Sequence, residues 1–349
     1  MTSPPHVPTS AHVIAGRYLL REQIGAGGMG SIWRAEHLML QRPVAVKFLD
    51  GHASRERFLR EARVAAAVQH RNVVQIMDFG ADADGRPFMV MELLSGRTLG
   101  DRMREGPPPL AETIRIVART LSGLAAVHEA GIVHRDLKPE NIFIVREGEH
   151  EYPKLLDFGI SRVTVPDRGV TSVVKTRESL IVGTPQYMSP EQARGSADID
   201  ARSDLYAIGT LLYELLTGLA PHDAELPGDV LAMILTQDPV PLRTYRPDLP
   251  PAIVAVVERA MSRDRALRFP SATEMRAALM LAAAEVAEHA GGSFALADDD
   301  SIPPPVDRGA ILDAGEAQDA TVASARLTVD QTIEAIAPPA AEPSAAAAP

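Results

Sequence analysis

The stretch HRDLKPEN, His134 to Asn141, gathers Arg135, Asp136, Lys138 and Asn141 within eight positions. An Asp can accept a proton, and an Asn five positions later can bind a metal. Together they suit transfer of a phosphoryl group to a hydroxyl. Gly131-Ile132-Val133 precedes the stretch, and Ile142-Phe143-Ile144-Val145 after it predicts a short buried strand. Loops held between rigid flanks are where chemistry tends to sit. A merely solvated polar loop is the plainer alternative, and four such groups between buried segments weigh against it.

HRDLKPEN resembles the catalytic loop of serine/threonine protein kinases, with Lys138 two positions after Asp136 as in that branch rather than the tyrosine branch. The other parts of such an enzyme should then follow in order. Tyr18-Leu19-Leu20 opens a strand that runs into IGAGGMGSIW, where Gly25, Gly27, Gly28 and Gly30 permit a turn whose backbone N–H groups can approach phosphate oxygens. A P-loop would need Gly-Lys-Ser/Thr at its end, but Gly30 is followed by Ser31-Ile32. A dinucleotide-binding turn would open a helix, whereas Ser31 to Glu36 alternates polar and apolar like a strand. Strand, glycine turn and strand match the glycine-rich loop of protein kinases. A flexible glycine hairpin is the rival account until the next motif is read.

In PVAVKFL, Val44, Val46 and Phe48 share one face of a strand, and Ala45, Lys47 and Leu49 the other. Lys47 is thus partly buried and needs a partner. Ser54 can cap a helix running to about Val68, with Phe58, Ala62 and Ala65 on its apolar stripe and Glu61 beside them. A Lys47–Glu61 pair would match the kinase ion pair behind the ATP phosphates, rather than leaving Glu61 a solvated helix charge. Two more strands, Val73 to Gly80 and Pro87 to Glu92, flank the turn ADADGR. Leu93-Leu94-Ser95-Gly96 then resembles the hinge. The backbone of Glu92 and Leu94 would hold the adenine edge, Ala45 would cover the base, and Met91 would guard the deep pocket.

Beyond Leu99 the periodicity is helical, with Ile114, Val117, Leu121 and Leu124 on a long amphipathic helix that Gly131 ends. Sixteen residues after Asn141, an apolar strand leads into Asp157-Phe158-Gly159. GTPQYMSPEQ resembles the end of an activation segment, with Ser189-Pro190-Glu191 where Ala-Pro-Glu is commoner. Asp204 opens an apolar-rich helix with a Gly218 stop, and by resemblance it would tie down the catalytic-loop backbone. Arg268 would pair with Glu191, and the last helix runs from about Ala272 to Ala290.

At 349 residues and 46% hydrophobic, the chain can bury a large core, and at 4% aromatic that core is aliphatic. There is no cysteine, which excludes disulfides and thiolate chemistry. The net charge of −11 divides unevenly: residues 291–349 hold ten acids and two bases, or −8, leaving −3 for the rest. The body has no basic cluster suited to nucleic acid. The start MTSPPHVPTSAH does not have the pattern of a signal peptide, and there is no run of 18 apolar residues, so no membrane span and a cytoplasmic location are expected.

The expected fold is α+β: a bilobal protein kinase with a small antiparallel β-sheet N-lobe carrying one main helix (16–94) and a larger helical C-lobe (95–288). The resemblance covers about residues 18 to 285. A Pro/Ser/Thr-rich disordered start (1–15) and an acidic Ala/Pro-rich tail or linker (289–349) flank it. GGMGSIW and GTPQYMSPEQARG look most like bacterial members, which act in signalling.

The resemblance implies ATP with Mg²⁺ (or Mn²⁺). Asp136 and Lys138 would be catalytic, and Asn141 and Asp157 would hold metal. Ile24-Gly25-Ala26-Gly27-Gly28-Met29-Gly30-Ser31-Ile32, Ala45, Lys47, Glu61, Glu92 and Leu94 would surround ATP. Thr184 would lie on the substrate side, and Arg135, Glu191, Asp204 and Arg268 would serve structure. Thr171, Ser172, Thr176 and Ser179 are candidates for autophosphorylation, since a phosphate there could pair with Arg135. Partners would be protein substrates, the chain itself and, through Thr residues of TVASARLTVDQTIEAI, phosphothreonine-binding proteins, although an inert tail is the plainer account. A silent scaffold of the same fold would lack Lys47, Asp136 or Asp157, and all three are present. A small-molecule phosphotransferase would not need the complete activation segment.

Overall fold

The computed structural model describes residues 12–27, 30–49, 62–157 and 185–289. Strands β1 (Val13–Ile14), β2 (Tyr18–Gly27), β3 (Gly30–His37) and β4 (Arg42–Leu49) come first, then helix α1 over 62–67, β5 (Ile76–Ala81) and β6 (Pro87–Glu92). They form one six-stranded sheet in the order β1-β2-β3-β4-β6-β5, and every pairing is antiparallel. Period-2 alternation divides this sheet between two cores. Val44, Val46 and Phe48 of β4 join Phe88 and Val90 of β6, together with Ile14 and Tyr18, on the outer face. Ala45 and Leu49 join Met89, Met91 and Ala65 of α1 on the inner face, continuous with the helical core below.

Two strand boundaries differ from the sequence pattern. The start is ordered earlier than expected: Val13–Ile14 pairs with Leu19 and Tyr18, and Ile14 is buried. Hydrophobic patterning over two residues is too short to announce a strand. Conversely, β5 begins at Ile76 rather than Val73. Val73 makes a lone parallel bridge to Leu155, Val74 N–H donates to the Leu155 carbonyl, and Leu155 N–H donates to the Asn72 carbonyl. Those backbone groups are therefore used on the other lobe. Gly123 permits this contact, because a Cβ there would sit 2.6 Å from the Asn72 oxygen.

The second lobe opens with β7 (Gly96–Thr98), α2 (Leu99–Met103) and α3 (Leu110–Glu129). Thr98 caps α2 in a reciprocal box with Asp101. A 3₁₀ turn at Pro139–Asn141 leads into β8 (Ile142–Glu147) and β9 (His150–Leu155), which with β7 form a small antiparallel sheet. After a 3₁₀ turn at Pro185–Tyr187 come α4 (Pro190–Ala193), α5 (Ala201–Thr217), α6 (Pro227–Thr236), α7 (Leu242–Tyr245), α8 (Pro251–Ala260) and α9 (Ala272–His289). Helix α5 is apolar on nearly all sides and buried accordingly. Gly218 ends it in the left-handed conformation at φ 75°. Among the described residues, no helix is long and apolar enough to cross a membrane.

Candidate active site

Helix α5 positions the catalytic loop through one residue. Asp204, fully buried in its first turn, accepts from His134 N–H at Oδ2 and from Arg135 N–H at Oδ1, both at 2.8 Å. His128 Nε2 of α3 approaches Oδ2 at 2.8 Å. A buried carboxylate is tolerable only when it is multiply hydrogen-bonded, as here. The clamp holds Arg135 at φ 68°, a left-handed backbone that a non-glycine residue adopts only when its surroundings impose it. His134 locks the loop to the next strand: its Nδ1 accepts from Asp136 N–H (3.4 Å), and its Nε2 donates to the Leu156 carbonyl (2.9 Å).

Around Asp136 the geometry is close. Asn141 Nδ2 donates to the Asp136 carbonyl (2.7 Å) and to Asp136 Oδ2 (3.0 Å). Lys138 Nζ also lies 3.0 Å from that oxygen. Leu156 N–H in turn donates to the Asn141 carbonyl (2.8 Å), which brings Asp157 alongside. Asp157 is also left-handed, at φ 56°, which turns its carboxylate away from the line of β9. Lys47 Nζ of β4 reaches Asp157 Oδ2 at 2.6 Å. Thus one cleft between the lobes contains Lys47, Asp136, Lys138, Asn141 and Asp157, and Asp136 and Asp157 do not open onto separate surfaces.

The glycine hairpin adjoins this cleft, since Ile32 of β3 lies opposite Lys47 of β4. Gly27 pairs with Gly30, Ala26 with Ser31 and Gly25 with Ile32. Gly30 sits at φ 136°, where an added Cβ would lie 1.8 Å from the Phe48 carbonyl oxygen, so only glycine lets β3 approach β4 there. Ala45 is buried on the face shared with Lys47, and Met91 pairs with it across β4 and β6. At the hinge, Glu92 Oε1 accepts from Gln75 N–H (2.8 Å) and from Lys154 Nζ (2.7 Å), three residues before Asp157. Leu94 follows, partly buried against the inner core.

Beneath the cleft, Arg268 donates to both oxygens of Glu191 (2.7 and 2.9 Å), and Ser203 Oγ donates to Glu191 Oε1 (2.5 Å). Burial works to raise the Glu191 carboxyl, but the Arg268 and Ser203 hydrogen bonds outweigh it and hold the pKa down at about 2. Ser189 caps α4 in a box with Gln192, whose Nε2 donates to the Arg135 carbonyl (2.8 Å). The Tyr187 hydroxyl donates to Glu214. Burial pushes the Glu214 carboxyl up, against the opposing pull of that hydrogen bond.

Most of the predicted site therefore converges. Gly28, Met29, Glu61, Thr171, Ser172, Thr176, Ser179 and Thr184 lie outside the described residues, so a Lys47–Glu61 pair is not part of the geometry above. The ionic partner of Lys47 among the described residues is Asp157. Sequence reasoning missed Lys154 and Gln192. Lys154 carries a sequence signal, as a lone cation in a buried strand, and Gln192 has one in the Ser-x-x-Gln capping pattern.

A two-lobed fold with this cleft defines a class, and the sequence falls within it. The chain belongs to the protein kinase family: residues 18–276 match the protein kinase domain. It is 42% identical over 277 residues to the serine/threonine-protein kinase pkn2 of Myxococcus xanthus, covering 77% of this chain and 33% of that protein. To pkn3 of the same organism it is 41% identical over 275 residues, covering 76% and 50%. To the serine/threonine-protein kinase PknB of Mycobacterium leprae it is 39% identical over 289 residues, covering 80% and 44%. The chain thus spans between a third and half of the length of these relatives.

Proposed function

We propose that the protein is a bacterial signalling serine/threonine kinase that transfers the γ-phosphoryl group of ATP to hydroxyls of other proteins and of itself. The observation that carries this is the Asp136 carboxylate, gripped at Oδ2 by both Lys138 and Asn141 at 3.0 Å in the cleft shared with Lys47 and Asp157. With Oδ2 so engaged, Oδ1 faces the acceptor hydroxyl. As the acceptor oxygen bonds to the γ-phosphorus and the bridging bond to the β-phosphate breaks, Asp136 takes the hydroxyl proton and ADP leaves. Lys138 lies close enough to steady the charge of the migrating group. The glycine hairpin of Ile24 to Ile32, with Ala45, Lys47, Glu61 and the hinge backbone at Glu92 and Leu94, would enclose ATP.

The residues present fit Mg²⁺ or Mn²⁺. Asn141 spends its Nδ2 on Asp136, leaving its Oδ1 for a cation, and Asp157 supplies a carboxylate. Among the described residues no group of three His, Asp or Glu side chains could hold a metal ion alone, so an ion here would be held jointly by Asn141, Asp157 and phosphates. When bound, the ion neutralises phosphate charge. By the family resemblance Thr184 would serve the acceptor side, and Thr171, Ser172, Thr176 and Ser179 are the hydroxyls through which the chain would activate itself. Threonines of the tail would offer sites to phosphothreonine-binding proteins. The need for ATP argues for the cytoplasmic side of a membrane.

The test is incubation with labelled ATP, Mg²⁺ and a generic protein substrate beside Asp136→Asn. The substitution is expected to lower transfer by about 10²–10⁴-fold while ATP still binds. Equal labelling by the two proteins would overturn the assignment, and mass mapping that finds no phosphate between 160 and 184 would remove self-activation.

A further inference from the structure

The described residues hold a second concave site that shares no residue with the active site. It is a groove of about 400 Å³ bounded by β7, α2, α3 and the β8–β9 hairpin. Its floor is apolar, from Ile116, Ile144 and Tyr152, each buried. Its rim carries four guanidinium groups, Arg97, Arg102, Arg115 and Arg119, against three carboxylates, Glu105, Glu112 and Glu151. These guanidinium groups are not equivalent. Arg102 is taken: its Nε and Nη2 donate to Glu112 at 2.9 and 3.2 Å, deep in the wall. Arg97 pairs with Glu105, which is 57% exposed, a contact that an incoming carboxylate can replace. Arg115 is exposed and has no ion pair among the described residues. A groove with an apolar floor and exchangeable guanidinium donors fits an extended segment in which apolar residues flank a run of carboxylates, since guanidinium binds carboxylate in a bidentate fork.

The chain carries such a segment. After His289 it continues through GGSFALADDDSI, placing Phe294, Leu296 and Ile302 around Asp298-Asp299-Asp300. We propose that residues 291–302 dock in this groove in cis. The tether permits it. Helix α9, which ends at His289, packs along α3, a wall of the groove. Helix α3 is 20 residues long, about 30 Å, and the nine residues from 290 to 298 span about 30 Å when extended. The acidic run therefore reaches the groove from either end of α3. Tethering over so short a distance gives an effective concentration of about a millimolar, enough to sustain a contact of modest intrinsic affinity. Three of the ten acids beyond residue 290, Asp298, Asp299 and Asp300, then act on a specific site of the domain.

The chain has no cysteine, so introduced pairs report without ambiguity. The full-length Ser301→Cys/Glu151→Cys variant, treated with a short bis-maleimide, places one thiol beside the acidic run and one on the groove rim. The control is Ser301→Cys/Leu226→Cys, whose second thiol adjoins α6, a helix that packs against α4. The groove pair is expected to cross-link within one chain about tenfold faster than the control at low salt. That advantage should vanish at about 0.5 M NaCl, where exposed charges are screened, and in the Asp298→Asn/Asp299→Asn/Asp300→Asn background. Equal rates for the two pairs overturn the proposal, as does an advantage indifferent to both salt and the acidic substitutions. A product of two chains' mass overturns docking in cis. The three Asp substitutions fall beyond α9, so folding of the domain is not at stake. The experiment needs no phosphoryl transfer, so its failure and that of the kinase proposal are separate results.

Discussion

Two buried ion pairs, Lys47–Asp157 and Arg268–Glu191, join distant parts of the sequence and behave as opposites. Arg268 is wholly buried, donates to both oxygens of Glu191, and also donates to the carbonyls of Ser262 and Arg202. Glu191 has a further donor in Ser203. Every strong hydrogen-bonding position is filled, so the pair is a rivet between α4 and the segment leading into α9. Lys47 is almost as buried, but its partner Asp157 is 27% exposed and sits on a strained left-handed backbone. Because solvent reaches Asp157, the ammonium can exchange that carboxylate for a phosphate. Burial of the cation alone thus does not separate structural charges from functional ones; the two pairs differ in how far solvent reaches the carboxylate.

Substitution should split the two pairs cleanly. Lys47→Met is expected to lower phosphoryl transfer by about 10²–10³-fold, the usual loss when one preorganised charge facing a reacting group is removed. Its melting temperature should move by only a few degrees, since Asp157 is partly exposed and can be solvated once unpaired. Arg268→Met should do the reverse. It strands the buried Glu191 carboxylate, at a cost of about 3–5 kcal/mol and a fall in melting temperature of about 10 °C. The fraction that remains folded should keep its ATP KM. Scanning calorimetry beside steady-state kinetics measures both, and equal melting temperatures for the two variants would erase the contrast.

Acid sharpens the same comparison. The folded pKa of Glu191 is about 2, below the ordinary 4.5 of a glutamate, so its contribution to stability is complete above about pH 4.5 and fades as pH falls towards 2. The loss is at most about 3 kcal/mol at 1.36 kcal/mol per unit. In Arg268→Met the carboxylate lacks its main partner and gains by protonation. The stability gap between wild type and variant should therefore narrow between pH 5 and pH 3 in denaturant titrations. A gap that stays constant would mean that the pair is not what sets this acid sensitivity.

How far the fold and site could be read from sequence follows from the range of the interactions. The faces of β4 were legible because alternation is local, and the two cores take its residues as the pattern predicts. Asp204, Glu191 and Arg268 were legible only through family resemblance, since nothing local links positions 69 to 77 residues apart. The left-handed backbones of Arg135 and Asp157 left no mark, because neither residue is a glycine and the strain is imposed by Asp204 and by the turn out of β9. The late start of β5, at Ile76 rather than Val73, was likewise hidden: the hydrophobicity of Val73-Val74 is strand-like, but the hydrogen bonds there go to Leu155 on the other lobe.

The smallest expected effect lies at Ser189, where this chain departs from the commoner Ala-Pro-Glu. Ser189 Oγ accepts from Gln192 N–H at 3.4 Å, and Ser189 N–H donates to Gln192 Oε1 at 3.0 Å. Ser189→Ala removes the first bond and keeps the second, which still aims Gln192 Nε2 at the Arg135 carbonyl. The cost should be about 1 kcal/mol, the common value for an N-cap, with turnover unchanged. Gln192→Ala removes the box and the link to Arg135 together, so it should cost more and reduce turnover by loosening the residue before Asp136. If Ser189→Ala lowered turnover as much as Gln192→Ala while leaving stability alone, α4 would belong with the exchangeable contacts of Lys47. It would then not be an extension of the Arg268 rivet.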